Sequence, residues 1–322
     1  MKKLAVAFAI VIATIVSAQA QTYPSRPITI VVPFPAGGAT DPLARIIAEH
    51  MKNTLGQTIV IENIAGAGGS LGVGKVARAA PDGYTIAIGH TGTHVFNGAT
   101  LTLNYDVMKD FEPIALIANT PQWIIAKKAL PPTNLKELVA YLKANPDKVT
   151  AATVGVGGGS TIAGVYFQKA TGTTFPFVPY RGGAPAIQDL VAGQVDIMFD
   201  QSANSFAQVR SGQVKAYAVL AKTRWSAAPD IPTADESGFP GIHIAYWHGL
   251  WAPKGTPKDV IARLNAAAQA ALADATVQQR FKAIGQDLWP RSQQTPQALM
   301  AQQKTEIEKW WPIITAAGIK AQ

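Results

Sequence analysis

One local device constrains this chain more than any other feature. A β-branched run leads through a glycine loop into an amphipathic helix, and this happens twice, at 28–55 and 149–170. Residues 28–33 (ITIVVP) form a continuous apolar run, the pattern of a strand covered on both faces. Residues 34–40 are a Pro/Gly/Ala turn. Asp41-Pro42 then reads as a helix start, with Asp as N-cap and Pro at the first helical position. Leu43, Ile46, Ile47 and Met51 give that helix an apolar face, and Gly56 ends it. In the second unit, 149–154 reads as a strand. The loop Gly155-Val156-Gly157-Gly158-Gly159-Ser160 then feeds a helix over 161–170.

The rest of the chain keeps this alternation. Strands are expected at 59–61, 84–88, 175–179, 195–199 and 215–220, with helices at 70–78, 135–143, 184–191 and 206–210. Thr133 or Asn134 caps the 135–143 helix. The tail reads as helical over 257–273, 275–284 and 296–316. Alternating β and α elements imply an α/β fold with mostly parallel sheets and helices on both faces. The two glycine-loop units lie ~120 residues apart, and each has strands enough for its own sheet, so two lobes are expected. Residues 114–126, a long extended pattern broken by Pro121, are the expected crossing between them, with a return between 220 and 247.

The N-terminus differs in kind. Lys2-Lys3, an apolar stretch over 4–16 and Ala18-Gln19-Ala20 have the form of a secretory signal cleaved after residue 20. Cleavage would leave 302 residues and lower the basic count from 28 to 26 against 20 acids. With no cysteine, an exported chain has no disulfide framework and no lipid-attachment residue, and thiolate chemistry is excluded. Later uncharged stretches are interrupted by Pro, Gly, His or Asn, so no stable membrane insertion is expected. The basic residues are scattered, against a nucleic-acid partner.

Chemistry concentrates at the loops. In α/β sheets ligands sit where strands lead into helices, facing unpaired N–H groups and a partial positive charge. Three loops fit that position, around Gly37, Gly69 and Gly159. Ser70, Ser160 and Thr161 add hydroxyls at helix starts, a set suited to a carboxylate without any arginine. The alternative is that the glycines only make tight turns. Nucleotide motifs fail, because Leu71 and Ser160 stand where a third glycine belongs and neither loop ends in Gly-Lys-Ser/Thr. His90 and His94 are four apart with no intervening Glu, so they read as polar cleft or satisfied surface histidines rather than metal ligands. Arg181, after a strand and before Gly182-Gly183, faces either the cleft or solvent. Asp200, ending a buried strand, either caps a loop, takes a ligand hydroxyl or holds nearby backbone. The tryptophans, including Trp247 and Trp251, read as core or hinge packing before a sugar platform.

A series of short motifs runs the length of the chain. It begins with Val32-Pro33-Phe34-Pro35-Ala36-Gly37-Gly38, Asp41 and Ala44-Arg45. It continues through Pro81-Asp82-Gly83-Tyr84, Val178-Pro179-Tyr180-Arg181-Gly182-Gly183 and Gly193-Gln194-Val195-Asp196. It closes with Pro232-Thr233, Glu236 with Gly238, and Trp251-Ala252-Pro253. In this order they resemble the Bug family, extracytoplasmic solute-binding proteins of tripartite tricarboxylate transporters. The resemblance implies a two-lobed, type II periplasmic-binding fold without catalytic activity, closing on a carboxylate. It implies contacts from Pro35, Ala36, Gly37 and Gly38, from Gly69 and Ser70, from Thr153, and from the 155–161 loop with Gly155, Gly159, Ser160 and Thr161. It places His90 and Thr91 at a variable position toward the distal end of the ligand, and Arg181 where the family has Lys or Arg.

The reading is therefore a periplasmic receptor for a small carboxylic acid that delivers it to membrane transporter subunits. It is expected as a monomer without metal or cofactor. Lobe 1 is placed at 23–121 plus 224–322 and lobe 2 at 122–223. Two rivals stay open: a receptor for an amino acid or sugar acid, and a secreted carboxylate-ester hydrolase using Ser70 or Ser160, although no Gly-x-Ser-x-Gly elbow exists.

Overall fold

The first β-branched run becomes β1 (Ile28–Val32), with Ile28, Ile30, Val31 and Val32 buried, in a computed structural model that describes residues 23–155 and 157–320. The expected signal at 1–20 lies outside the described residues. β1 is followed by α1 (Thr40–Leu55), β2 (Ile59–Asn63), a short turn Ala67–Gly69, α2 (Ser70–Ala77) and β3 (Thr85–His90). A wide helical turn, Gly92–Phe96, then runs into α3 (Asn97–Thr100) and β4 (Phe111–Lys127). The middle comprises α4 (Leu135–Ala144), β5 (Ala151–Val154), α5 (Gly159–Thr171), β6 (Phe177–Tyr180), α6 (Gly183–Ala192), β7 (Ile197–Gln201), α7 (Ser202–Arg210) and β8 (Val214–Val219). The return is β9 (Ala245–Pro253), and the tail holds α8 (Lys258–Ala273), α9 (Ala275–Ala283), β10 (Asp287–Leu288) and α10 (Pro296–Ala316).

Strand order is β2-β1-β3-β9-β4-β7-β5-β6, with β8 and β10 also pairing β4. The sheet is mixed, which narrows the mostly parallel expectation. β1 runs parallel to β2 and β3, and β5 parallel to β6 and β7, as helical crossovers demand. β4 lies antiparallel to β7, β8, β9 and β10. The two halves also do not own separate sheets, because β4 is long enough to serve both. Its first part pairs with β9 as far as Pro121↔Ala245, and from Gln122 onward it pairs with β7. Pro121, which has no N–H to give, sits where the partner changes. At that junction Gln122 N–H donates to the Ile244 carbonyl, Ile244 N–H to Leu220 and Leu220 N–H to Gln122, at 2.9, 2.8 and 2.7 Å. Both crossings fall where the extended pattern places them.

Each half has a core on both faces of its strands. In the first, Leu43, Ile47 and Met51 of α1 pack with Ile30, Val260 and Leu264. In the second, Leu138 and Phe167 pack with Phe199 on one face, and Trp123, Leu190 and Met198 with Trp225 on the other. Of the two expected caps Asn134 takes the role, accepting from Glu137 N–H at 2.9 Å while Glu137 accepts from Thr133 N–H at 2.8 Å. The start of α1 differs from its sequence reading. Thr40 opens the helix and Asp41 lies inside its first turn, because the Asp41 carboxylate is drawn back to the loop ahead of it. Among the described residues no helix is long and apolar enough to cross a membrane.

Candidate functional site

Both glycine loops border one set of aromatic rings. Phe34, in the loop after β1, stacks on His90 at the end of β3, with ring centroids 4.7 Å apart. Gly69 tucks beneath this pair, where an added Cβ would stand 2.8 Å from Thr93 and 3.2 Å from Phe34. The His90 ring meets Tyr246 of β9 edge-on at 5.1 Å. The Tyr246 hydroxyl in turn occupies the space a Gly159 side chain would need, 1.7 Å from the ideal Cβ position. Gly159 opens α5 in the other half. Tyr246, on the return crossing, thus touches the loop ends of both halves, beside the β4–β9 pairing.

Several expected donors are already engaged within the loops. Gly37, with φ at +80°, gives its N–H to Asp41 Oδ2 at 3.0 Å, so a ligand does not find that amide free. Asn63 donates to both Asp41 Oδ1 and the Phe34 carbonyl, so Asp41 and Asn63 fasten the exposed Pro35, Ala36 and Gly37 stretch. Gly38 N–H turns back to the Pro35 carbonyl. Gly155 N–H donates to Tyr180, and Thr161 Oγ1 to the Gly155 carbonyl at 2.9 Å. Ser160 Oγ accepts from Val154 N–H at 2.7 Å, which leaves its hydroxyl proton to donate elsewhere. As the first residues of α5, Gly159, Ser160 and Thr161 have N–H groups with no intrahelical acceptor, and Tyr246 Oη accepts from that of Gly159. Thr153 is buried at the end of β5, and Ser70 is half-buried at the start of α2.

Of the outer candidates, Thr91 is bonded to the start of β9. Its hydroxyl donates to the Ala245 carbonyl and accepts from Trp247 N–H. Asp200 is 2% exposed and takes Ser205 Oγ at 2.5 Å and Asn204 at 3.2 Å, so it holds the first turn of α7. Arg181 is exposed and makes no ion pair among the described residues. His94 is not on the surface. It stacks on Trp251 at 3.7 Å beneath the cleft floor, and Trp247 and Trp251 are buried.

The floor is electrically quiet. Burial pushes the His90 imidazole down to about 4 and that of His94 to about 3, and holds His248 well below its ordinary value. All three are neutral near pH 7. Burial raises the Asp200 carboxyl to about 6 against the Ser205 and Asn204 donors. Burial, and then the nearby Asp200, keeps the Tyr246 phenol un-ionised. Among the described residues no set of three His, Asp or Glu side chains is placed to hold a metal ion.

Sequence reasoning missed the floor itself. Gln122 and Gln201 face each other in register across β4 and β7, and Gln122 Oε1 and Gln201 Nε2 are buried without a partner among the described residues. Trp247 Nε1 and His248 Nδ1 are in the same condition. A buried polar atom without a partner points to a missing one. The available signal was position, since Gln122, Tyr246 and His248 all lie in or beside the expected crossings.

The model of the tripartite tricarboxylate transporter family receptor matches residues 43–319. The chain belongs to that family. Among solved structures, the periplasmic binding protein BugD is 45% identical, covers 93% of this chain and 100% of its own, and superposes with a TM-score of 0.84. MatC from Rhodopseudomonas palustris, solved with malate bound, is 41% identical over 91% of this chain and 100% of its own, with a TM-score of 0.84. A second R. palustris protein, Rpa4515 with adipate, is 33% identical over 92% and 99% of the two chains, with a TM-score of 0.85. The family and these neighbours are binding proteins, and the receptor shares their two-lobed α/β fold. Ser160 fits that reading, since its Oγ is held by a backbone N–H of its own loop and not by an imidazole.

Proposed function

We propose that this receptor captures a small dicarboxylic acid between its halves in the periplasm and delivers it to membrane transporter subunits. The observation that carries the reading is the meeting of two glycine loops, one from each half, around Tyr246 over a floor with unpartnered amides. The first turn of α5 offers N–H groups and a dipole to one carboxylate. Gly69, Ser70 and the 34–38 loop face it from the other half. His90 and the Gln122–Gln201 pair stand where a second polar end would lie. The dicarboxylates bound in MatC and Rpa4515, malate and adipate, support this class.

Lobe 1 comprises 23–121 plus 245–322 and lobe 2 comprises 122–244, with the hinge at the 122–220–244 junction; the boundary at 224 expected from the sequence moves later because Trp225 packs with Trp123 and Val219 bridges Thr233. Export through a signal cleaved after Ala20, and action as a monomer, complete the proposal. Ligand binding stabilises the closed form by RT ln(1 + [L]/Kd), so the shift grows with affinity and ligand concentration. A thermal-shift series of mono-, di- and tricarboxylates should give its largest upward shifts with C4–C6 dicarboxylates. No shift with any carboxylate would overturn the assignment. Amino-terminal sequencing of the exported protein should begin at Gln21.

A further inference from the structure

A cavity of about 520 Å³ opens away from the cleft, between the end of α8, α9 and β10. It shares no lining residue with the cleft and lies within the size range of small-molecule sites. Leu272, Leu288 and Pro290 give it an apolar wall. Gln286 also lines it and is 3% exposed, yet among the described residues neither Oε1 nor Nε2 of its carboxamide has a partner. Trp289 Nε1, on the same wall, is likewise buried and unpartnered. An orphaned buried donor or acceptor is costly, so a set of three grouped on one cavity needs an occupant's polar edge. Lys282 and Arg291 line the cavity from exposed positions, without an ion-pair partner among the described residues. Of the acids, Asp274 caps α9, and Asp287, which also lines the cavity, accepts from Ser226 Oγ at 2.7 Å.

We propose that this cavity is a second solute site, for a small organic anion with an apolar body and one N–H or O–H donor. Its carboxylate accepts from Gln286 Nε2 and Trp289 Nε1 beside the two cations. Its donor satisfies Gln286 Oε1, and its apolar body lies on the leucine–proline wall. Hippurate carries this set of groups and is the probe. In 3-benzoylpropionate a CH2 replaces the N–H, and methyl hippurate lacks the charge. Titration calorimetry of the full mature chain should show saturable hippurate binding. That binding should weaken about tenfold with 3-benzoylpropionate or in Gln286→Leu, and be lost with methyl hippurate or in the Lys282→Ala/Arg291→Ala pair. The double variant changes only exposed side chains, and it decides alone if Gln286→Leu does not fold. No binding of hippurate at ~10 mM, or binding of wild-type strength in the double variant, overturns the proposal.

Discussion

Gly159→Ala is the smallest change that interrogates the cleft. The new methyl would stand 1.7 Å from Tyr246 Oη, 2.6 Å from its Cζ and 3.1 Å from Phe96 Cε2. To restore an ordinary contact the phenol must retreat by roughly 1.5–2 Å. It is hemmed in by His90 and Phe96, whose ring centroids lie 5.1 and 6.3 Å from its own. Overpacking of this kind costs about 1–3 kcal/mol, offset by ~0.5–1 kcal/mol because alanine suits a helix better than glycine. The net loss of about 1–2 kcal/mol should lower the melting temperature by roughly 1.5–3 °C in a chain of this size. Displacing Tyr246 also separates the two loop ends, so the dicarboxylate-induced thermal shift should shrink.

A double-mutant cycle with Tyr246→Phe isolates the cause. Removing Oη deletes the 1.7 Å clash and leaves only the 2.6 Å approach to a ring carbon, so the double variant should be more stable than the sum of the single changes predicts. A coupling of at least ~0.5 kcal/mol in that direction is expected for residues in contact. If calorimetry shows the two changes to be additive, or Gly159→Ala leaves melting and binding unchanged, Tyr246 does not occupy the α5 start and the inter-lobe contact is wrong.

Three further outcomes follow from the same geometry. Asp41→Ala removes the acceptor for Gly37 N–H and an acceptor for Asn63, so it should cost about 2–3 kcal/mol in denaturant unfolding, with little contributed by the half-exposed Arg45 pair. Asn134→Ala should cost ~1 kcal/mol through the lost α4 cap and leave ligand affinity unchanged, a control for general destabilisation. Acid should destabilise the fold between pH 6.5 and about 4. The unfolded chain there binds protons that the buried His90, His94 and His248 refuse, and Asp200, which prefers its proton in the folded state below about 6, offsets one of them. Melting temperature against pH should therefore fall through that window, and His94→Gln should flatten the fall.

What was legible in the sequence was whatever a short window carries. The run 28–33, the 43/46/47/51 spacing and Gly56 are local signals, and β1 and α1 lie where they point. The α4 cap was readable to within one residue, Thr133 or Asn134, and Asn134 takes it. Asp41 misled because the same residue type that caps a helix can brace a preceding loop, and only the tertiary position of Asn63 decides between them. The shared sheet and the cleft floor were out of reach for a related reason. Nothing near Gln122 announces Gln201, and nothing near Gly159 announces Tyr246, because those pairings depend on register between strands far apart in the chain.

The placement of charge bears on how such a receptor lets go. Arg45 is tied to Asp41, Arg181 is exposed, and the buried imidazoles are neutral, so the proposed cleft would offer an anion dipoles and hydroxyls in place of a full cation. Dipoles at the α5 start act over the length of a helical turn, and they count most where the closed halves exclude water. If the halves open at Gln122, Leu220 and Ile244, as we propose, the carboxylate would keep only one set of N–H donors and water would compete for it. A buried arginine on one half would go on holding the anion after opening, and would carry its own desolvation cost in the empty state. On that proposal, tight capture in the closed form and ready release in the open one would both follow from dividing modest donors between two lobes.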